Sequence, residues 1–194
     1  MVTVTEIFCR LDYRAEPTVK TVVDIGSNIG ISALYFLTRN RTAHCYLAEP
    51  DPRNVTRLRR NLAPFADRYK LDECAVSDVS GTFDFGIEST GRYGGIGLDL
   101  PASIRVQCRE INDLLNAVIA NAGRIDILKV DTEGMEERTV RAIRPHVLRE
   151  IDLIYLESLV PLEPLHPGSM QQTKRLGTWR LTPVGDVDAE RAIP

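Results

Sequence analysis

Apolar and polar positions alternate along the chain in short buried-looking runs separated by amphipathic ones. Thr21–Ile25 is apolar but for Thr21 and Asp24, and stops at Gly26, which predicts a first strand. From Ile29 to about Thr38 the apolar positions recur at helical spacing, and Ala43–Ala48 predicts a second strand. Asp51 followed by Pro52 supplies an N-cap and a first-turn proline. Val55, Leu58 and Leu62 then recur at i, i+3 and i+7, so a helix extends to about Leu62. Lys70–Val76 reads as a third strand. Thr82–Ile87 and Ile104–Arg109 read as extended segments joined through a mobile loop, RYGGIG, from Arg92 to Gly97.

The second half continues in the same order. Asn112 to about Asn121 is helical, Ile125–Val130 is a buried strand, and Glu133–Ile143 is a helix with Glu137 and Arg141 at supportive spacing. Ile151–Leu156 is a strand, followed by the proline-rich loop VPLEPLHPG, a short helix near Met170–Leu176 and a last strand near Thr178–Leu181. Alternation of this kind predicts an α/β fold, a mostly parallel sheet with helices on both faces, in a single domain spanning residues 1–194.

Composition narrows the partners more than the fold. A chain of 194 residues with 43% hydrophobic and 26% charged residues buries an ordinary globular core. A net charge of −3 supplies no general field for nucleic acid or an anionic membrane surface. Arg53, Arg57, Arg59 and Arg60 lie mostly off the apolar stripe of their helix and read as its solvated face. No apolar stretch approaches the ~20 residues of a spanning helix, and MVTVTEIFCRLDYR lacks a basic-then-apolar signal layout, so a cytoplasmic protein is expected. Cys9, Cys45, Cys74 and Cys108 are widely spaced without a C-x-x-C pair, which favours free core thiols over a metal site or disulfides.

Chemistry enters at TVVDIGSNIGISALYF. A strand, a glycine turn and a helix N-terminus in succession hold adenine-containing cofactors in α/β proteins. The dinucleotide pattern needs a glycine at position 24, where this chain has Asp24. An acid there repels a pyrophosphate and accepts hydrogen bonds from a cation, so the loop favours S-adenosylmethionine over NAD. Glu49, 19 positions beyond Gly30, stands where an acid binds both ribose hydroxyls of an adenosine. CAVSD, Cys74 to Asp78, ends the third strand where a loop flanks an adenine edge. Each feature also has a plainer reading: Gly26 and Gly30 as turn residues, Glu49 as a helix-capping acid, and Asp78 as part of a simple turn. Their order and spacing favour the cofactor.

The segment LKVDTEG, within Asp126 to Val140, adds a family. With VDIGSNIG, YLAEPDP and AVSDVSG, it makes the chain resemble the FkbM-type S-adenosylmethionine-dependent methyltransferases from about Thr21 to Ser158. The resemblance implies a Rossmann-like class I methyltransferase fold and O-methylation of a hydroxyl on a sugar, glycan, polyketide or similar small metabolite. It implies that Asp24, Gly26, Ser27, Asn28 and Gly30 form the methionine-end loop and that Glu49 is the ribose ligand. Ser77 and Asp78 then flank the adenine, Lys129 joins the cofactor-binding set, and Lys129, Asp131 and Glu133 belong to the signature after the fourth main strand. Lys129 and Asp131 share a strand parity and so point to one side. Glu133 is placed at the first turn of the next helix, where the dipole favours an acid.

Methyl transfer needs alignment of donor and acceptor and a base for the acceptor proton. Asp131 is the first candidate base, Glu157 the second, and His166 lies on the same rim. Mg²⁺ held by Asp131 and Glu133 is a less favoured alternative, since two carboxylates do not make a metal site. Arg92 and Tyr93 are candidate lid residues, and Trp179 reads as core packing. About 20 residues precede the first strand, a short N-terminal extension, and the tail PVGDVDAERAIP has little apolar sequence for a final strand. An uncovered sheet edge would favour a homodimer. A nicotinamide-dependent oxidoreductase and a non-catalytic cofactor-binding homologue are the competing readings; the first is disfavoured by Asp24 and by the lack of a Tyr-x-x-x-Lys set. RNA methylation fits the fold but not the acidic balance.

Overall fold

Successive side chains of β1 (Thr21–Ile25) point to opposite faces and all five residues are buried, so both faces must be covered. In the computed structural model, which describes residues 4–157, 163–175 and 178–184, the chain meets this by alternating strand and helix. β1 is followed by α1 (Ile31–Arg39), β2 (His44–Ala48), α2 (Pro52–Asn61), β3 (Tyr69–Asp72) and β4 (Ala75–Ser77). Then come β5 (Gly81–Ile87), β6 (Gly94–Ile96), β7 (Ala102–Glu110), α3 (Ile111–Ala122), β8 (Ile127–Val130), α4 (Glu136–Arg141) and α5 (Pro145–Leu148). β9 (Ile154–Glu157), β10 (Met170–Arg175) and β11 (Thr178–Pro183) complete the order. A π-helical turn, Thr5–Arg10, precedes them.

The main sheet runs β10-β11-β9-β8-β1-β2-β3, parallel from β9 to β3 and antiparallel through β11 and β10. Val23, Ile25, Leu128, Val130, Ile154 and Leu156 pack one face against α3 and α4. Val22, Ile127 and Tyr155 pack the other against α1, α2 and the N-terminal Ile7 and Tyr13. This is the expected Rossmann-like class I arrangement, with all parallel strands ending at one edge, where ligands bind such sheets. Among the described residues no helix is long and apolar enough to cross a membrane.

Four local expectations are corrected. The single strand expected over Lys70–Val76 is two: β3 stops at Asp72, and β4 joins a second sheet of order β4-β7-β5-β6. The polar pair Asp72-Glu73 breaks the run, and Arg109 Nη1 binds Asp72 Oδ2 at 2.7 Å across the break. The RYGGIG loop contains β6, antiparallel to β5; a Cβ on Gly94 would stand 2.7 Å from the Phe85 ring, so glycine permits the pairing. Met170–Arg175 is a strand, not a helix. MQQTKR has no apolar stripe for a helix to bury, and all six residues pair with β11. This hairpin covers β9 from within the chain and leaves β10 at the edge of the sheet. Finally, α4 begins at Glu136, so Glu133 lies in the preceding loop with φ 55°. Leu176, residues 160–162 of the proline-rich loop and the tail beyond Val184 lie outside the described residues.

Candidate active site

The crevice starts at one backbone crossing. Gly26 (φ 75°) follows β1, and a Cβ built on it would lie 1.7 Å from the carbonyl oxygen of Asp131, which follows β8. The amides of Gly26 and Ser27 both donate to Ala48 O, at 3.0 and 3.1 Å, and tie the loop to β2. Asn28 (φ 48°) donates its amide to Glu49 Oε2 at 2.9 Å, and Gly30 (φ 83°) caps α1. Glu49 Oε1 accepts from the Asp51 amide at 2.9 Å, and the Asp51 carboxylate in turn N-caps α2. Glu49 is buried, and loss of water pushes its carboxyl up to about 7 despite these donors.

Two cavities open on either side of this crossing. The first spans about 650 Å³ including its opening to solvent; Ala48, Cys74, Ala75, Val76 and Phe85 supply apolar walls, and Glu49 stands among them. The second, about 1940 Å³ including its opening to solvent, is bounded by Tyr13, Ile31, Lys129, Glu157 and the acids after β8. Gly26, Asn28, Asp131, Glu133 and residues 91–93 border both. The 88–93 segment that roofs them is fastened to α2: Asn54 Nδ2 donates to Gly91 O at 2.9 Å, Arg53 to Glu88 O at 3.0 Å and Arg57 to Thr90 O at 3.0 Å. Three of the four arginines expected on a solvated face therefore hold loops, Arg59 pairing with Glu73.

A buried charge cluster lies beneath the second cavity. The register sets Asp24 opposite Lys129 on adjacent strands. Lys129 Nζ stands 3.0 Å from Asp24 Oδ1, a charge contact rather than an aligned hydrogen bond, and 3.3 Å from Asp131 Oδ2. It also donates to Gly26 O at 3.2 Å. Burial disfavours the ammonium, but Asp24 and then Asp131 outweigh it and hold Lys129 protonated, above the ordinary lysine range. Asp131 is therefore within reach of both cavities and of a fixed cation.

Residues 24–166 match the family model of the methyltransferase FkbM domain. The chain belongs to the FkbM methyltransferase family. A relative from Sinorhizobium fredii (strain NBRC 101917 / NGR234), the 2-O-methyltransferase NoeI, is 31% identical over 155 residues. The match covers 70% of this chain and 62% of NoeI, so the chain spans less than two thirds of that relative's length. Among solved structures, the methyltransferase FkbM from Methylobacillus flagellatus KT superposes with a TM-score of 0.55 at 16% identity, covering 78% of this chain and 36% of that one. An O-methyltransferase family protein from Burkholderia thailandensis gives 0.50 at 11%, covering 94% and 56%. These likenesses establish the fold.

S-adenosylmethionine is the methyl donor of the FkbM family, and the donor set suits it. Glu49, Asp51, Asp131 and Glu133 border the first cavity, with Arg92 as the single cation among the described residues that line it, a field that suits a sulfonium and opposes a pyrophosphate. Other expected contacts fall elsewhere. Asp24 is 0% exposed, accepts the Ser32 hydroxyl, pairs with Lys129 and lines neither cavity, so its carboxylate is committed inside the protein. Ser77 is buried and donates to Asp78, which pairs with Arg138 at 2.7 Å; neither lines either of these two cavities, and Cys74 to Val76 line the first instead. His166 also lines neither: its Nε2 lies 2.7 Å from Val140 O, which ties the loop to α4 away from the crevice. Trp179 packs against the core.

Glu133 borders both cavities; burial, then Asp131 and Glu136, push it up to about 7. Glu136, not Glu133, serves the helix start, its carboxylate accepting from the Thr132 and Gly134 amides. Glu157 is exposed at the mouth of the second cavity, and partial loss of water around its carboxyl, then Asp131, raises it above the usual range. Among the described residues no group of three His, Cys, Asp or Glu side chains is placed to hold a metal ion. Tyr13 and Asn54 carried no legible signal, since Tyr13 precedes the first periodic element and Asn54 is one polar residue among several on α2.

The raised Glu49 carboxyl gives the apo protein a pH dependence. A carboxyl whose folded value exceeds its ordinary 4.5 favours the fold while protonated; that contribution is full below about 4.5 and is lost as pH rises through about 7. The expected loss is about 1–3 kcal/mol. Thermal unfolding between pH 5 and 8.5 should show Tm falling faster in the wild type than in Glu49→Gln. Parallel curves would contradict it.

Proposed function

We propose that this chain is an S-adenosylmethionine-dependent O-methyltransferase acting on a hydroxyl of a small-molecule or glycan acceptor. The observation that supports this best is the position of Asp131, on the border between a cavity lined by Glu49 and a second, wider cavity. Bound in the first cavity, S-adenosylmethionine supplies an electrophilic methyl group. Glu49 takes the ribose hydroxyls, the apolar walls from Cys74 to Phe85 take the adenine, and the acids at the junction favour the cationic end. The acceptor occupies the second cavity, and Asp131 takes the hydroxyl proton as the oxygen attacks. The 2-O-methyltransferase activity in the name of NoeI agrees with a hydroxyl acceptor.

Calorimetry with S-adenosylhomocysteine tests the first half: micromolar binding is expected, weakened about tenfold or more in Glu49→Ala by loss of charge-assisted hydrogen bonds. Transfer of labelled methyl to a panel of neutral sugars and polyols tests the second. Asp131→Asn should lower the rate by about 10²–10⁴-fold with S-adenosylhomocysteine affinity little changed. Absence of S-adenosylhomocysteine binding at millimolar concentration would sink the proposal.

A further inference from the structure

Tyr13 lies outside every motif of the chain, yet its side chain reaches the buried charge cluster. The π-helical turn Thr5–Arg10 ends at Leu11, whose φ of 59° reverses the chain, and Asp12 N returns to Glu6 O. The reversal aims Tyr13 inward until it is 4% exposed. Its ring packs edge-on to Tyr155 at 5.6 Å and stands 5.3 Å from Lys129 Nζ, over its face. Its hydroxyl donates to Glu157 Oε2 at 3.3 Å. The segment is anchored on both sides of this contact: Tyr155 Oη donates to Arg14 O at 2.7 Å, and Ala15 N to Tyr35 Oη at 3.3 Å.

We propose that Tyr13 is the positioning residue of the acceptor side: its hydroxyl fixes the Glu157 carboxyl and its ring covers the Lys129 ammonium, so that Glu157 and Asp131 are held together at the cavity junction. The inference rests on the reading of the site above. Two carboxyls side by side on adjacent strand ends repel when both are charged, and one would turn out to water unless held. The tyrosine hydroxyl supplies a donor on one side of the pair and Lys129 supplies a charge on the other. Held so, the pair forms one proton acceptor for the acceptor hydroxyl. As the oxygen lone pair bonds the methyl carbon, the C–S pair leaves on sulfur and the hydroxyl proton passes to a carboxylate. Tyr13 exchanges no proton with donor or acceptor in this scheme and acts through Glu157.

The groups that face the Glu157 carboxyl are Tyr13 and Arg10 from the N-terminal segment, and Lys129 and Asp131 from β8 and the loop after it. Asp24 bears on the same cluster through Lys129. Loss of the Tyr13 donor should raise the protonation midpoint of Glu157. The test is a ¹³C NMR titration of side-chain carboxyls in wild type, Tyr13→Phe and Tyr13→Leu, with S-adenosylhomocysteine calorimetry on each. In Tyr13→Phe, which keeps the ring, the Glu157 midpoint is expected to rise by about half a pH unit or more. Its S-adenosylhomocysteine affinity should stay within about threefold. Tyr13→Leu should show the same rise together with a lower Tm, from loss of the ring over Lys129 and Tyr155. An unchanged Glu157 midpoint in folded Tyr13→Phe overturns the inference even if the wild type binds S-adenosylhomocysteine. Failure of the wild type to bind it overturns the functional reading instead, and leaves the titration to be judged by itself.

Discussion

Gly26→Ala is expected to lower the unfolding midpoint by about 10 °C or more, with binding of S-adenosylhomocysteine lost in the fraction that remains folded. Two costs add. Alanine at a φ of 75° costs about 1 kcal/mol or more in backbone strain. The larger cost is steric: the new methyl would sit 1.7 Å from a backbone oxygen, that of Asp131, which has no rotamer with which to give way. The loops after β1 and β8 must separate, and with them the two walls of the junction. About 4 kcal/mol in a chain of this size corresponds to a shift of about 10 °C. Gly123→Ala is the control, because it shares the positive φ at 85° but meets nothing within 4 Å. Thermal melts of both should show a loss at Gly26 several times that at Gly123. Equal losses would mean that backbone strain alone matters and that the crossing tolerates displacement.

What the sequence revealed and what it hid follow from range. The strands β1, β2, β8 and β9 were legible because strands covered on both faces are written as continuous apolar runs. The N-cap at Asp51 and the glycine loop were legible because their chemistry is local. The hairpin of β10 and β11 was not, since MQQTKR owes its extended form to cross-strand pairing that no local pattern encodes. The same limit governs the site. Glu49 and Asp131 line the crevice as expected, each at the carboxyl end of a strand. His166 and Asp78 were placed near it by proximity in sequence, and the fold turns them to Val140 and Arg138. Asp24 shows the sharpest difference. Its position argued for a cationic partner, and it has one, but Lys129 from the neighbouring strand occupies that role in place of a ligand. The N-terminal segment, which carries no motif, supplies Tyr13 and Ile7 to the wall of the second cavity.

That substitution of a lysine for a ligand carries the other large expected effect. Lys129 is 2% exposed and Asp24 is 0% exposed, so Lys129→Met leaves a carboxylate in the core with the Ser32 hydroxyl donating to it and its cation gone. Removing one partner of a buried pair typically costs about 3–5 kcal/mol, because the remaining charge has neither water nor counter-charge. Replacing both partners by uncharged groups of similar size removes the orphan, so Asp24→Asn combined with Lys129→Met should recover much of that loss. Denaturant unfolding of the two single variants and the double variant provides the cycle. A double variant as unstable as Lys129→Met alone would show that the lysine stabilises through packing against Tyr13 and not through Asp24. If the pair is instead retained for the site, the recovered double variant should fold well and still transfer methyl groups poorly, because Asp131 has lost the cation 3.3 Å from its carboxylate. Stability and activity would then separate in one protein, which locates the purpose of the buried lysine at the junction of the two cavities.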